Sequence, residues 1–268
     1  MADSDPFRTG GDRGQRTAAG AARRLFFDGA AARGGFVMRA ALPILLAGIL
    51  LAGALLAAPD ALEKARDLED RAQLERTLVA LTAAAEKAPN DAAAQYQVAL
   101  AASYLAEISL ELRDKTAAES AAKAGITAAE SAVTLKPDNA EYHRVLGTLC
   151  GQVIPANVLL GISYGKRAEE AIEKAIALDS KSSQAYLARG IGNYYKPAMF
   201  GGGPDLAIRD IRRAIELDPK SAEAFLWLGL ALRKTHHNAE ARKAFTKSLE
   251  LNPNRIWTRQ QLDKTPAS

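Results

Sequence analysis

The sequence contains very few of the residues that form disulfides and metal sites. Among its 268 residues there is one cysteine, Cys150, and there are three histidines. A single cysteine excludes an intramolecular disulfide, and Cys150 lies too far along the chain to be a lipid-modified N-terminal cysteine. His236 and His237 are adjacent, so their side chains point apart, and no cysteine or third histidine is close enough in sequence to complete a metal site. We therefore predict no metal and no cofactor.

The chain also has little excess charge outside its N-terminal segment. The formal charge is +4, and residues 1–58 hold seven Arg against four Asp. Basic and acidic residues nearly balance in the remainder. The sequence therefore predicts no binding of nucleic acid, which requires a concentrated basic surface.

One long apolar run lies near the N-terminus. Met38 and Arg39 precede an uninterrupted run of 15 residues from Ile44 to Ala58, which ends in small side chains. This order is typical of a secretory signal peptide, and the run is shorter than the roughly 20 residues that span a bilayer. We predict a signal peptide at 38–58 and a periplasmic or secreted protein. If residues 40–58 stay uncleaved, they are instead a single N-terminal membrane anchor.

Residues 1–37 are rich in Gly, Arg and Ala and have no sustained periodicity. We expect this segment to be disordered, or to lie upstream of the true start codon.

Five related phrases indicate internal repeats. Each phrase ends a helical pattern and then interrupts it with Pro or Ser; they are AAEKAPND (84–91), SAVTLKPDN (131–139), KAIALDSKS (174–182), RAIELDPKS (213–221) and KSLELNPNR (247–255). The interrupting residues Pro89, Pro137, Ser180, Pro219 and Pro253 are separated by 48, 43, 39 and 34 positions. The last spacing is that of a tetratricopeptide repeat.

Residues 222–255 resemble such a repeat. Leu228 and Gly229 are the paired large and small residues of its first helix, Ala241 is the small residue where two helices cross, and Phe245 fills the core. The three preceding units keep this pattern and contain extra residues. The four units are 92–139, 140–182, 183–221 and 222–255.

We therefore predict an all-α fold, a right-handed solenoid of tetratricopeptide-type helical hairpins over residues 92–255, with lengthened turns inside the repeats. Residues 59–91 are predicted to form an N-terminal half repeat, as one long helix or two short ones. Residues 256–268 are predicted to be a capping helix and tail, since terminal repeats need a polar outer face.

Gly201 to Gly203 raise the possibility of a phosphate-binding loop. Such a loop requires Lys and then Ser or Thr after its last glycine, and a strand before it. Here Pro204 and Asp205 follow, which is a good helix start. We interpret the glycines as a turn between helices. No triad, metal cluster or cofactor motif is recognisable, so we predict that the chain is not an enzyme.

The turn that contains these glycines has two interpretations. Met199 and Phe200 could fold back and be buried against their own repeat, which we favour, or they could form an exposed edge for a partner. The phrase YYKPAMFGGGPDLAI is also similar to a Pro-x-x-Phe-Gly-Gly turn in the T-component proteins of TRAP transporters. That resemblance covers some 20 residues and implies a periplasmic partner.

The first helix of each repeat lines the concave face of such a solenoid, and helical spacing places candidate partner-binding residues there and on the adjoining turn. They are Tyr96, Tyr104, Arg144, Gln152, Leu187, Ile191, Tyr194, Tyr195, Met199, Phe200, Arg233 and Lys234. Aromatic and apolar residues with a few cations suit a peptide groove, and packing between repeats explains some of them equally well. The Lys and Asn pattern that clamps a C-terminal carboxylate in some tetratricopeptide domains is absent, because Leu226 and Leu230 occupy those positions.

The sequence thus predicts an exported, non-catalytic tetratricopeptide scaffold that binds a protein or peptide segment in its concave groove, with the turns at 152–164 and 196–205 shaping the edge. Two alternatives stay open. One is a membrane-tethered assembly factor, and the other is an accessory ligand-binding component of a periplasmic uptake system, which would need an enclosed cavity near Tyr194 to Gly203. Neither the partner nor the oligomeric state follows from the sequence.

Overall fold

The computed structural model describes residues 58–156 and 158–267, so the predicted leader and nearly all of the predicted signal peptide lie outside the described residues. Eleven α-helices and no strands occur in this part of the chain. The helices are α1 (Ala58–Asp67), α2 (Arg71–Lys87), α3 (Ala92–Glu111), α4 (Lys115–Leu135), α5 (Ala140–Val153), α6 (Gly161–Leu178), α7 (Ser183–Tyr195), α8 (Pro204–Leu217), α9 (Ala222–Lys234), α10 (Asn238–Leu251) and α11 (Ile256–Asp263). None of the described helices combines the length and the hydropathy that a bilayer crossing requires.

The repeated phrases of the sequence are helix starts as well as helix ends. At six helices, a side-chain oxygen just before the first residue accepts a hydrogen bond from a backbone N–H of the first turn, which satisfies a donor that the helix itself leaves unpaired. These capping residues are Asp70, Asp91, Asp114, Asn139, Ser182 and Ser221. Four of them follow the Pro or Ser that marks the end of a repeat phrase, so the phrase closes one hairpin and begins the next.

The helices pair in sequence as hairpins. The densest packing is between α3 and α4, α5 and α6, α7 and α8, and α9 and α10. The first helices of successive hairpins also contact one another, α3 with α5, α5 with α7 and α7 with α9. The prediction of an all-α solenoid of helical hairpins is confirmed.

Small residues let the two helices of a hairpin approach closely. A Cβ atom added to Gly229 of α9 would lie 2.6 Å from the Phe245 ring of α10. Ala241 and Phe245 are themselves fully buried. The contact between α9 and α10 therefore depends on a side chain being absent at position 229.

The extra residues of the longer repeats adopt different structures. In the first repeat they extend the helices, because α3 has 20 residues and α4 has 21, against 13 and 14 in α9 and α10. Only residues 112–114 separate α3 from α4, since the Ala- and Leu-rich sequence continues the helix. In the second repeat, short 3₁₀ turns occupy Ile154–Ala156 and Val158–Leu160. In the third, a 3₁₀ turn forms at Ala198–Phe200.

The N-terminal end of the described region is also helical. Residues 58–87 form two helices rather than one, α1 and α2, which are separated at Leu68 to Asp70. Cys150 on α5 is fully buried, and burial raises the pKa of its thiol to about 11. It is therefore a core residue.

Candidate functional site

Several predicted groove residues hold α3 and α5 together. The rings of Tyr96 and Tyr142 stack with centroids 5.0 Å apart, and the Tyr96 hydroxyl donates to the Glu141 carboxylate at 3.0 Å. The Arg144 guanidinium donates to both oxygens of the same carboxylate, at 2.6 and 2.7 Å. Burial and the charge of Glu141 raise the pKa of Tyr96. This network occupies the surface where a peptide was expected to lie.

A second contact between these helices involves Gln152. Its amide nitrogen donates to the Ser103 carbonyl at 3.0 Å, and the Ser103 hydroxyl donates back to the amide oxygen at 3.3 Å. Gln152 therefore joins two repeats.

The candidates on α7 and α9 are also largely engaged within the chain. Leu187 is 3% exposed and Ile191 packs against the same core. Tyr194 packs edge-on against Trp227 with ring centroids 5.7 Å apart. The Lys234 ammonium lies 4.3 Å from the centre of the Tyr194 ring and donates to the Tyr194 carbonyl at 2.5 Å.

Arg233 binds the C-terminal helix. Its guanidinium donates to the Gln261 carbonyl at 3.2 Å, to the Gln261 side-chain oxygen at 2.8 Å and to the Thr265 hydroxyl at 3.3 Å. The short helix α11 is thus tied to the end of α9.

The two ends of the repeat array meet at Arg255, which lies just before α11 and is 1% exposed. Its guanidinium donates to Glu107 at 2.7 Å and to both carboxylate oxygens of Glu111, one of them at 3.0 Å. Its Nε lies 3.8 Å from Asp67 and 3.6 Å from Glu223 without a hydrogen bond to either. Residues from α1, α3 and α9 therefore converge on one side chain.

Other contacts support this closure. The Asn252 amide donates to Asp67 at 2.6 Å, and the Gln260 amide donates to Glu69 at 3.3 Å. The Arg66 guanidinium lies over the Tyr104 ring, 5.0 Å from its centre. We call the charged residues at this junction the closure cluster: Arg66, Asp67, Glu107, Glu111, Glu223 and Arg255.

The closure cluster places four carboxylates around two guanidinium groups in a buried setting. Burial, partly offset by Arg255, raises the pKa of Glu111 to about 8, and burial with the charge of Glu223 raises that of Glu107. Burial alone would lower the pKa of Arg255, but the charges of Glu223, Glu111 and Glu107 outweigh it and raise the pKa. Arg255 therefore stays charged, whereas Glu107 and Glu111 retain protons more readily than exposed carboxylates.

The sequence interpretation missed this cluster. Glu107 and Glu111 are spaced by four positions and continue the face that carries Tyr104, which was a signal that they point inward. Arg255 gave no such signal, because it occurs in the last repeat phrase at a position that is normally solvated.

The third repeat presents an exposed apolar surface. Met199 is 82% exposed, Phe200 is 64% exposed and Tyr195, at the end of α7, is 59% exposed. The favoured expectation that Met199 and Phe200 are buried against their own repeat is wrong. We call Tyr195, Met199 and Phe200 the apolar lip.

Backbone hydrogen bonds, rather than burial of these side chains, hold the loop. The Gly203 N–H donates to the Asn193 carbonyl at 2.9 Å, and the Gly202 N–H donates to the Pro197 carbonyl at 3.2 Å. Gly201 and Gly203 have φ values of 79° and 122°, which favour glycine. The chain can therefore reverse direction while its apolar side chains face solvent.

The neighbouring repeat adds to this edge. Ile162, at the start of α6, is 83% exposed, and Lys196 pairs with Glu169 of α6 at 3.0 Å. The turn of the third repeat is thus joined to helix α6 of the second repeat by an ion pair.

The side chains that could ligate a metal are dispersed. Residues 58–156 and 158–267 contain no group of three or more His, Cys, Asp or Glu side chains arranged to hold a metal ion. His236 and His237 are exposed in the turn before α10.

These hairpins and their close small-residue contacts define a tetratricopeptide repeat protein, and residues 222–255 match the tetratricopeptide repeat profile. Residues 60–195, just over half of the chain, match the family described as regulator of microtubule dynamics protein 1-3. The chain belongs to that family. No curated protein matches the sequence significantly.

Solved structures share the fold. A thermophilic TPR protein of Thermus thermophilus is 20% identical, with a TM-score of 0.55 over 78% of this chain and 98% of that one. Also similar are pilF of Pseudomonas aeruginosa (20% identical, TM-score 0.42, 63% of this chain and 68% of that one) and MamA of Desulfovibrio magneticus RS-1 (20%, 0.40, 75% and 97%).

Proposed function

We infer that the chain acts as a tetratricopeptide-type scaffold, a class whose members bind protein or peptide partners and are generally not catalytic. The observed hairpins and the match of residues 222–255 support this class.

We propose that the chain is exported, that it has no catalytic activity, and that it binds an apolar segment of a partner protein at the apolar lip and the adjoining concave face. The observation that carries the proposal is the exposure of Met199 and Phe200, at 82% and 64%, beside Tyr195. Exposed apolar clusters that a loop holds in place are typical of interaction sites. Most other candidate residues already bind within the chain, so the lip is the part of the predicted groove that is available.

The description of the matched family names regulation of microtubule dynamics. We extend only the class of activity, binding of a protein, to this chain, because residues 38–58 have the pattern of a signal peptide. The alternative role in an uptake system predicts a cavity near Tyr194 to Gly203. Two clefts of about 370 Å³ each, within the described residues, contain no residue of that segment.

Photo-crosslinking tests the lip. A benzoylphenylalanine side chain is placed at Phe200 and, as a matched control, at Val79 of α2, which is 70% exposed and lies on a different element. We expect a specific protein adduct from position 200 that position 79 does not give. The adduct should weaken when Met199→Ser is added, with Tyr194 and Tyr195 left intact because both rings pack on Trp227. Identical adducts from both positions would contradict the assignment of the apolar lip as the binding surface.

The N-terminal mass of the protein recovered from cells tests export. A start near Pro59 supports cleavage and release, and an intact segment from Met38 supports membrane tethering instead. Cell fractionation of the same sample then separates the periplasmic from the membrane-bound form.

A further inference from the structure

A cleft at the junction of the two array ends is lined by more cations than the chain itself neutralises. It has a volume of about 370 Å³, within the range of about 300–1,000 Å³ that is usual for ligand sites. The end of α3, the end of α9 and helix α11 form its walls. The lining residues are Leu110, Glu111, Arg113, Arg233, Trp257, Gln261 and Lys264.

Two of the three cations have no partner. The side chains of Arg113 and Lys264 form no ion pair or hydrogen bond with any residue in the described part of the chain, and both are exposed. Arg233 is held in place by its hydrogen bonds to Gln261 and Thr265. The cleft therefore has one fixed guanidinium and two cations that are available to a ligand.

A buried amide adds a further donor. Gln261 is 6% exposed, and its side-chain oxygen accepts from Arg233. Its amide nitrogen donates no hydrogen bond within residues 58–156 and 158–267. This nitrogen is not among the buried atoms without a partner in the described residues, so it is open to solvent and available to donate to a ligand.

The other walls restrict which anion fits. Trp257 and Leu110 provide apolar contact. The Trp257 ring packs against the Trp227 ring, with the two ring centroids 5.7 Å apart. Glu111 is the one acidic residue in the wall, and it pairs with Arg255 behind it. When Glu111 is ionised, it repels a doubly charged anion more than a singly charged one. Guanidinium groups also match a planar carboxylate well.

We propose that this cleft binds a monovalent carboxylate attached to an apolar or aromatic group. Arg113, Lys264 and the Gln261 amide contact the carboxylate, and Trp257 packs against the apolar group. Arg233 fixes Gln261 in position. The site lies on α3, α9 and α11 and does not share residues with the apolar lip.

Calorimetric titration of the purified full-length chain with N-acetylphenylalanine tests the site, with N-acetylphenylalaninamide as the neutral control. We expect saturable binding of the acid and no binding of the amide. Arg113→Gln with Lys264→Gln should weaken binding by roughly tenfold or more, since charge-assisted contacts are lost. The matched control, Arg76→Gln with Lys243→Gln, changes two surface cations outside the cleft and should leave the affinity unchanged. Circular dichroism verifies that both variants fold.

Further ligands separate the sources of the carboxylate. A short peptide with a C-terminal phenylalanine, compared with its amidated form, reports whether a protein C-terminus binds better than the free acid. Inorganic phosphate should compete poorly. Equal binding of acid and amide, unchanged affinity in the Arg113 and Lys264 variant, or stronger binding of phosphate than of the acid would each overturn the proposal.

The pH dependence provides a further readout. Glu111 faces Glu107 on its own helix, Arg255 before α11, Glu223 of α9, Tyr195 of α7 and the cations of the cleft. Because burial raises its pKa to about 8, carboxylate affinity should fall between about pH 7 and about pH 9 as Glu111 ionises. Glu111→Gln should remove this fall, and a fall that persists in that variant counts against the assignment.

Discussion

Replacing Arg255 with Met should weaken the packing between the two ends of the repeat array. The substitution removes a side chain that contacts α1, α3 and α9 together, and Arg255 is 1% exposed. The variant leaves Glu107 and Glu111 without their closest cation. Breaking a buried ion pair by removing one partner typically costs about 3–5 kcal/mol, so we expect the free energy of unfolding to fall by about that amount above about pH 8, where Glu111 is ionised.

Protonation reduces this cost. As pH falls below about 8, Glu111 binds a proton and no longer needs a counter-charge, so the Arg255→Met variant should approach the wild type. Adding Glu111→Gln should recover part of the loss above about pH 8, because the amide removes the unpaired charge. Arg255→Lys keeps the charge but loses the bidentate contact with Glu111. Its free energy of unfolding should therefore lie between those of the wild type and Arg255→Met.

Urea denaturation followed by circular dichroism measures these changes. Hydrogen exchange locates them, with faster exchange expected in 58–70 and 252–265. The control is Arg259→Met on α11, whose guanidinium is exposed and donates to the Pro253 carbonyl at 2.8 Å. That variant should stay within about 0.5 kcal/mol of the wild type. A loss below about 1 kcal/mol for Arg255→Met, with unchanged exchange at both ends, would refute the closure.

Other predictions concern the packing, the thiol and the titration of Glu111. Gly229→Ala should destabilise the fold by about 1–3 kcal/mol, because the new Cβ would lie 2.6 Å from the Phe245 ring. Cys150 should react with a thiol reagent only after unfolding, since it is fully buried and its pKa is raised to about 11. The pKa of Glu111 is raised to about 8, so its contribution to stability is complete below its unfolded pKa of about 4.5 and declines as pH rises through about 8. Unfolding measured across this range should therefore show stability falling with pH, and less steeply in Glu111→Gln.

Each of these predictions has an internal control. Gly192→Ala adds a Cβ with no atom within 4 Å, so it should be neutral or stabilise α7 by up to about 1 kcal/mol. Equal losses for the two glycine variants would contradict the packing argument. Rapid labelling of Cys150 in the native protein, or identical pH profiles for wild type and Glu111→Gln, would contradict the other two.

The hairpins were predictable because their determinants are local. The capping residues Asp91, Asn139, Ser182 and Ser221 follow the repeat phrases, and the small residue at 229 sits one helix away from the Phe245 ring that it accommodates. The turn structures were less predictable. The extra residues of the first repeat continue its helices, whereas those of the third form a loop in which Met199 and Phe200 are exposed.

The sequence by itself determined the repeat, the helical hairpins and the class of protein, since helical period, caps and crossing residues all lie within one repeat of 34 to 48 residues. Only the tertiary structure decided which charged residues are surface and which are buried. Arg255 is 144 positions from Glu111, and Asn252 is 185 from Asp67. Each repeat is rotated slightly relative to the one before it, and these rotations add up along the array. Whether such distant residues meet depends on the total rotation, which the sequence of a single repeat does not determine.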